Sequence, residues 1–238
     1  MEDAMHIVKS AEPAMSCVDP REAQSVPIRA DIAEIVVVRH GQTDWNFEHR
    51  IQGHSNVQLN EVGRQQTNAV ANRLSKEGEI SAIYSSDLKR AIETAEAIAT
   101  ACGVAQVIKE PDLREQNTGK LQGLSVSEAA NVYPQIFKDF RSRRWDLEIP
   151  GGETKDQVYQ RCTTCLQNIG LKHKGERVIV VTHGTVFRSI YRRACPKDGP
   201  APKVQNGSVS ILHFSGEDKW VMKSWSDHSH LNQTEDKL

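Results

Sequence analysis

Two short runs of β-branched and apolar residues limit what this chain can fold into. Ile35-Val36-Val37-Val38 and Val178-Ile179-Val180-Val181 lack the alternation of a half-exposed strand. Such runs suit strands buried on both faces, as in a sheet covered by helices on either side. Both end alike, in Arg39-His40-Gly41 and in Thr182-His183-Gly184.

The rest of the chain fits that frame. Asn60 is placed to cap a helix with Val62, Ala69, Val70 and Leu74 on one side. Ile83-Tyr84 predicts a short strand. Leu88, Ala91, Ile92, Ala95, Ile98 and Cys102 then trace an amphipathic helix that Gly103 ends. Val107-Ile108 predicts another strand. Ser125-Val126-Ser127-Glu128 is a capping box, opening a helical insertion that reaches about Arg144. Thr154 to Gln157 repeats the signature before a helix carrying Cys162 and Cys165. A helix with Phe187, Ile190 and Tyr191 follows the second apolar run. Val209–Ile211 and Trp220–Met222 flank a hairpin turn at Ser215-Gly216-Glu217-Asp218. Strands alternating with helices predict an α/β domain with a largely parallel sheet.

Composition excludes several functions. The 238 residues hold 30 Lys+Arg and 31 Asp+Glu, a net charge of −1. No basic excess is present to neutralise a nucleic-acid strand. No run approaches the roughly 18 apolar residues that would span a membrane. Residues 1–32 carry Pro13, Pro20 and Pro27 and are expected to be a disordered tail. They lack the apolar core of a secretory signal, and their acids disfavour a transit peptide. Residues 33–231 are expected to form one domain and 232–238 a polar end. Five cysteines are no disulfide framework. Cys162 and Cys165 share helical spacing with Val158, Leu166 and Ile169, so a buried helix face is preferred over a redox or zinc role. A reducing, cytoplasmic setting is expected.

The two His-Gly pairs hold the chemistry. Ligands of open α/β sheets bind beyond the carboxyl ends of the strands. Two histidines at such ends on neighbouring strands would converge on one crevice. Arg39 precedes His40, and Arg90 falls in the first turn of the helix after Ile83-Tyr84-Ser85-Ser86. Alone, Arg90 reads as a solvated helix residue. Together, two guanidinium forks, two histidines and nearby helix N-termini suit a phosphoryl group. His183 is counted among the positive groups of this crevice.

These residues resemble a known family. Arg39-His40-Gly41-Gln42-Thr43-Asp44-Trp45-Asn46 is similar to the RHG signature of the histidine phosphatase superfamily, also called phosphoglycerate mutase-like. Ser85-Ser86-Asp87-Leu88-Lys89-Arg90-Ala91 resembles its SDLxRA motif. Leu113-Arg114-Glu115, with Gly119 and Leu121-Gln122-Gly123, resembles its acidic segment. Pro150-Gly151-Gly152-Glu153 and Val181-Thr182-His183-Gly184 resemble its later motifs. The likeness covers roughly residues 34–231 and comes nearest to the plant-type phosphoglycerate mutase-like proteins. It implies a three-layer α/β/α sandwich with a mostly parallel central sheet and a small helical insertion near the active site.

The resemblance also implies roles. His40 is expected to be the nucleophile that forms a phosphohistidine. Arg39, Arg90 and His183 are expected to hold the phosphoryl oxygens. Glu115 is expected to protonate the leaving oxygen and then activate water, which asks for a raised pKa. Thr43, Asn46, Gln52, Gly53 and Gly184 are expected to line the phosphate site. No metal and no cofactor are expected.

Departures from the family pattern bear on substrate. True mutases follow the acid with basic side chains, whereas Gln116 and Asn117 follow Glu115. The segment from Glu115 to His183 is short, as in the phosphatase branch. The expected activity is metal-independent hydrolysis of a small phosphorylated metabolite. The alternatives are a 2,3-bisphosphoglycerate-dependent phosphoglycerate mutase, with that bisphosphate as primer, and a phosphoprotein-binding or protein-phosphatase role. Arg141, Arg143, Arg144 and Trp145 lie in the variable segment. They could read the far end of a substrate, but a solvated helix end above a packed Trp145 is preferred. The expected partner is a small phosphorylated substrate, with no nucleic acid or membrane, in a monomer or homodimer.

Overall fold

Strands β1 (Ile32–Arg39) and β4 (Arg177–Thr182) lie side by side and parallel, with Glu34 opposite Arg177 and Arg39 opposite Thr182. This register brings the residues after each strand, His40 and His183, to one end of the sheet. The structure is a computed structural model that describes residues 28–231 except residue 217. Residues 1–27 of the expected tail 1–32 and the whole expected tail 232–238 lie outside the described residues, as does residue 217 of the expected hairpin turn. Ile32 already belongs to β1, one residue before the expected start of the domain.

The sheet has six strands in the order β3-β2-β4-β1-β5-β6. β2 (Ala82–Ser85) and β3 (Val107–Lys109) continue the parallel set on one side. β5 (Val209–Ser215) and β6 (Lys219–Asp227) form the expected antiparallel hairpin on the other. The sheet is therefore mixed, with four parallel strands from the β3 edge to β1 and the antiparallel pair beyond them.

Side chains alternate across each strand, so every strand feeds both layers. Val36, Val38, Ile83, Ile179 and Val181 pack with Val70, Leu74, Ala91, Ala95 and Ile98 of α2 (Glu61–Leu74) and α3 (Lys89–Cys102). Ile35, Val37, Val178, Val180, Leu212 and Phe214 pack with α6 (Lys155–Lys172) and α7 (Gly184–Ala194) on the opposite face. The three-layer arrangement follows from the double burial of the two apolar runs.

Local rules set the ends. Asn60 accepts the Gly63 N–H and starts α2, and Gly103 ends α3 in the left-handed region at φ 69°. Thr154 and Gln157 form the capping box of α6. Cys162 and Cys165 are free, and burial pushes both thiols up to about 12. Protonated thiols on a packed helix face are chemically quiet.

The insertion is two helices rather than one. Ser125 and Glu128 cap α4 (Val126–Val132), and α5 (Pro134–Arg141) follows a break at Tyr133. Proline disfavours the helical region for the residue before it, and Tyr133 sits at φ −131°, ψ 61°. The insertion builds its own small core from Ile51, Leu121 and Ala129 against Tyr133, Ile136, Phe137 and Phe140. Trp145 packs edge-on to Tyr159 at 6.2 Å, and the Arg192 guanidinium covers its ring at 4.4 Å. That is the packed role preferred for Trp145.

Candidate active site

Beyond the ends of β1, β4 and β2 the chain buries an unusual density of polar groups. His40 is 3% exposed, His183 0% and Arg90 1%. The His40 and His183 rings stand 5.0 Å apart between centroids. Charged and polar side chains stay buried only where something compensates them.

His40 is fixed from both sides. Its backbone N–H donates to the Thr182 carbonyl across the β1–β4 pair. Its ring Nδ1 lies 2.6 Å from the Gly41 carbonyl oxygen. A carbonyl only accepts, so Nδ1 carries the proton and Nε2 keeps its lone pair. Burial first, then the charges of Arg90 and Arg39, hold the imidazole well below its ordinary value. His40 is neutral.

His183 is neutral too, which corrects the expectation that it adds positive charge. Burial, then Arg90, His40 and Arg39, hold it well below its ordinary value. Its Nε2 lies 2.8 Å from the Ser86 hydroxyl, which also accepts the Leu88 N–H. Its Nδ1 is buried without a protein hydrogen-bond partner.

The two arginines keep their charge. Arg39 Nη1 donates to the Val204 carbonyl, and Arg90 donates to the carbonyls of Ser55 and Gly53. These acceptors are neutral, so they orient each guanidinium without cancelling it. Both Nε atoms are buried and unpartnered. Burial brings each down to about 10, opposed by the Glu115 carboxylate. Arg90 is thus no solvated helix residue.

Glu115 follows the 3-10 turn Pro111–Leu113 and reaches the start of α7. Its carboxylate accepts the Gln116 N–H at 2.8 Å and the Thr185 N–H at 3.2 Å. Burial alone would push the carboxyl up. The hydrogen bonds from Thr185 and Gln116, with Arg188 and Arg90, outweigh it, and the net direction is down. The raised pKa expected from the sequence is therefore not a property of this site without substrate.

The other expected residues gather nearby. Thr43 and Asn46 form the capping box of the short helix α1 (Asp44–Phe47), just after His40. Gln52 buries an unpartnered Oε1, and Gly53 takes φ 50° while its carbonyl receives Arg90. Gly184 is the first residue of α7. Among the described residues no group of three or more His, Cys, Asp or Glu is arranged to hold a metal ion.

Three contributors escaped the sequence reading. Asn206 Nδ2 donates to the His40 carbonyl at 3.0 Å and lies 3.3 Å from both Gly41 O and Asn46 Oδ1. Arg161 on α6 donates to the carbonyls of Asp112, Arg114 and Glu115 and pairs with Glu153. It ties the Glu115 loop to the Pro150-Gly151-Gly152-Glu153 turn. Arg188 lies one turn along α7 from Thr185, its Nη1 3.4 Å from the Thr185 hydroxyl. The i, i+3 spacing from Thr185 was the only sequence signal for it.

Known proteins resemble this chain in sequence and in fold. The family model of the histidine phosphatase superfamily (branch 1) matches residues 35–228. Phosphoglycerate mutase-like protein 4 of Arabidopsis thaliana is 55% identical over 205 residues, 86% of this chain and 89% of that protein. The metal-independent phosphoserine phosphatase of the same plant is 49% identical over 211 residues, 88% of each chain. Among solved structures, a mycobacterial glucosyl-3-phosphoglycerate phosphatase in complex with VO3 superposes with a TM-score of 0.72. It is 26% identical and covers 81% of this chain and 98% of its own. The chain belongs to the histidine phosphatase superfamily, branch 1, and is a phosphatase hydrolase.

Proposed function

We propose that this protein hydrolyses the phosphomonoester of a small metabolite through a phosphohistidine on His40. The observation that carries the reading is the 2.6 Å contact from His40 Nδ1 to the Gly41 carbonyl. It leaves a neutral Nε2 with its lone pair in the same site as two guanidinium groups that no ion pair neutralises.

In the first step the Nε2 lone pair forms a bond to phosphorus as the P–O ester bond breaks. The leaving oxygen takes a proton from Glu115. In the second step Glu115 accepts a proton from water, the water oxygen bonds to phosphorus, and the P–N bond breaks. Arg39 and Arg90 hold the phosphoryl oxygens, with His183 donating from a neutral ring. Thr43, Asn46, Gln52, Gly53 and Gly184 shape the surrounding cradle. A bound phosphoryl dianion draws on the cations that now hold Glu115 ionised, and its own charge repels the carboxylate. Both effects raise the Glu115 pKa when a proton donor is required. The chain's own cations suffice for charge stabilisation, so no cofactor is proposed.

Phosphoserine stands first among trial substrates because a relative at 49% identity carries that activity in its name. Among the described residues no helix is long and apolar enough to cross a membrane, and we propose a cytoplasmic setting for the domain. The test is phosphate release from a panel of small phosphomonoesters, with and without 2,3-bisphosphoglycerate. Release without the bisphosphate and without metal supports the reading. Bisphosphate-dependent interconversion of phosphoglycerates with little release would replace it with the mutase.

A further inference from the structure

Beyond Glu115 stands a second group of cations that, among the described residues, form no ion pair of their own. Arg188 lies on α7, Lys155 is the first residue of α6, and Arg141 is the last residue of α5. Their neighbours are paired: Arg144 with Asp146, Arg161 with Glu153, Arg192 with Asp156, Arg193 with Asp218. Among the described residues no ion pair joins Arg188, Lys155 or Arg141 to an acid.

Geometry ties this group to the site. Arg188 approaches the hydroxyl of Thr185, whose N–H donates to Glu115. Lys155 Nζ donates to the carbonyl of Ser142 at 2.5 Å, which sets it beside the end of α5. The charges feel one another. Burial, then Arg188 and Arg141, hold the Lys155 ammonium below its ordinary value. Arg188 also adds to the charge around Arg39. Like charges whose shared counter-charge is Glu115, itself committed to proton transfer, destabilise the free protein and suit an anion that arrives with the substrate.

The place for such an anion is set by the proton transfer. Glu115 must meet the ester oxygen of the leaving group, so the leaving group extends past Glu115 toward Arg188. The residues directly after Glu115 cannot serve. Gln116 is neutral and donates to the Glu153 carbonyl, and the Asn117 N–H donates to the Glu153 carboxylate.

We propose that Arg188 and Lys155 bind a carboxylate on the leaving group, so that the favoured substrates are phosphomonoesters with a carboxylate a few bonds from the ester oxygen. This rests on the phosphatase reading above. It moves carboxylate recognition from the loop after the catalytic acid to Lys155 at the start of α6 and Arg188 in the middle of α7.

The test compares O-phosphoserine with O-phosphoethanolamine, which differ by that carboxylate alone. kcat/KM is measured for both on the wild type, Arg188→Gln and Lys155→Met, with p-nitrophenyl phosphate as a third substrate. The ratio is taken within each variant, so partial loss of folded enzyme cancels. The wild type should favour phosphoserine by about 30-fold or more, the weight of a charge-assisted hydrogen bond. Arg188→Gln should bring the ratio near unity, chiefly through the KM of phosphoserine, and Lys155→Met should lower it several-fold. A wild-type ratio within about threefold of unity overturns the proposal, as does a ratio unchanged in both variants. Failure of the wild type to release phosphate from any of the three, p-nitrophenyl phosphate included, would overturn the phosphatase reading itself.

Discussion

His40 Nδ1 lies 2.6 Å from the carbonyl oxygen of Gly41, the next residue in the chain. That carbonyl is itself approached by the Asn206 amide. One backbone group thus fixes the proton on the far side of the imidazole and points the unprotonated nitrogen toward reaction. Burial, and then two arginines, keep the ring neutral by opposing a second proton.

Neutral rings make a pH prediction. Both His40 and His183 titrate well below 6.5 when folded, and near 6.5 when unfolded. Above 6.5 neither state binds the extra proton. As pH falls below 6.5 only the unfolded chain takes it up, so stability falls with pH. Each ring contributes on the order of 1 kcal/mol of loss between pH 7 and 5.5. Long-range nitrogen–proton spectra should show both rings neutral throughout. A ring that protonates at 6.5 contradicts this site.

Glu115→Gln separates the two proton transfers. Turnover of an alkyl phosphate should fall about a hundred to ten thousandfold, since the alkoxide leaves poorly unprotonated. p-Nitrophenolate needs no proton, so its first release should survive as a burst followed by slow hydrolysis. Rapid-quench measurement of nitrophenol reads the burst. Equal loss on both substrates with no burst would show that Glu115 does something else.

Arg90→Met tests the phosphoryl cradle without turnover. Orthovanadate at about a hundredfold its Kd should stabilise the wild type by about 2.7 kcal/mol. For a domain of this size that is a Tm shift of about 5–10 °C. The variant should show almost none, because the buried charge that binds the anion is gone. A shift of equal size in the variant would remove Arg90 from the site.

How much of this was legible varied with the kind of residue. The strands ending at His40 and His183 were readable because burial on both faces demands unbroken β-branched runs. The capping boxes at Ser125 and Thr154 were readable because they are local. The break at Tyr133 had a local sign in Pro134, which disfavours helix for the residue before it. Arg161, Arg188 and Asn206 were not readable. A charged residue on an amphipathic helix looks solvated until tertiary contacts put carbonyls around it. The charge state of His183 was misjudged for a related reason: proximity to arginines was read as shared charge, whereas in a buried site it expels the proton.

Arg161→Gln probes one of those hidden contacts. The guanidinium satisfies three backbone carbonyls and the Glu153 carboxylate at once. Its loss strips the Arg114 carbonyl of its partner and leaves the half-buried Glu153 carboxylate with only the Asn117 N–H and His54, at a cost of about 3 kcal/mol. Glu115 should also lose its position, so kcat should fall more than KM changes. Denaturant midpoints and steady-state kinetics check the two effects. Unchanged kcat with lowered stability would make Arg161 a structural residue only.

The central claim is a covalent phosphoryl group on His40, and it can be seen directly. The enzyme is mixed with a phosphomonoester, quenched in base within milliseconds, digested and examined by mass spectrometry. A base-stable, acid-labile phosphoryl group on the peptide containing His40 is expected, absent from His40→Ala together with turnover. Turnover that persists in His40→Ala, or a wild type that hydrolyses substrate without ever carrying phosphate on that peptide, would contradict it.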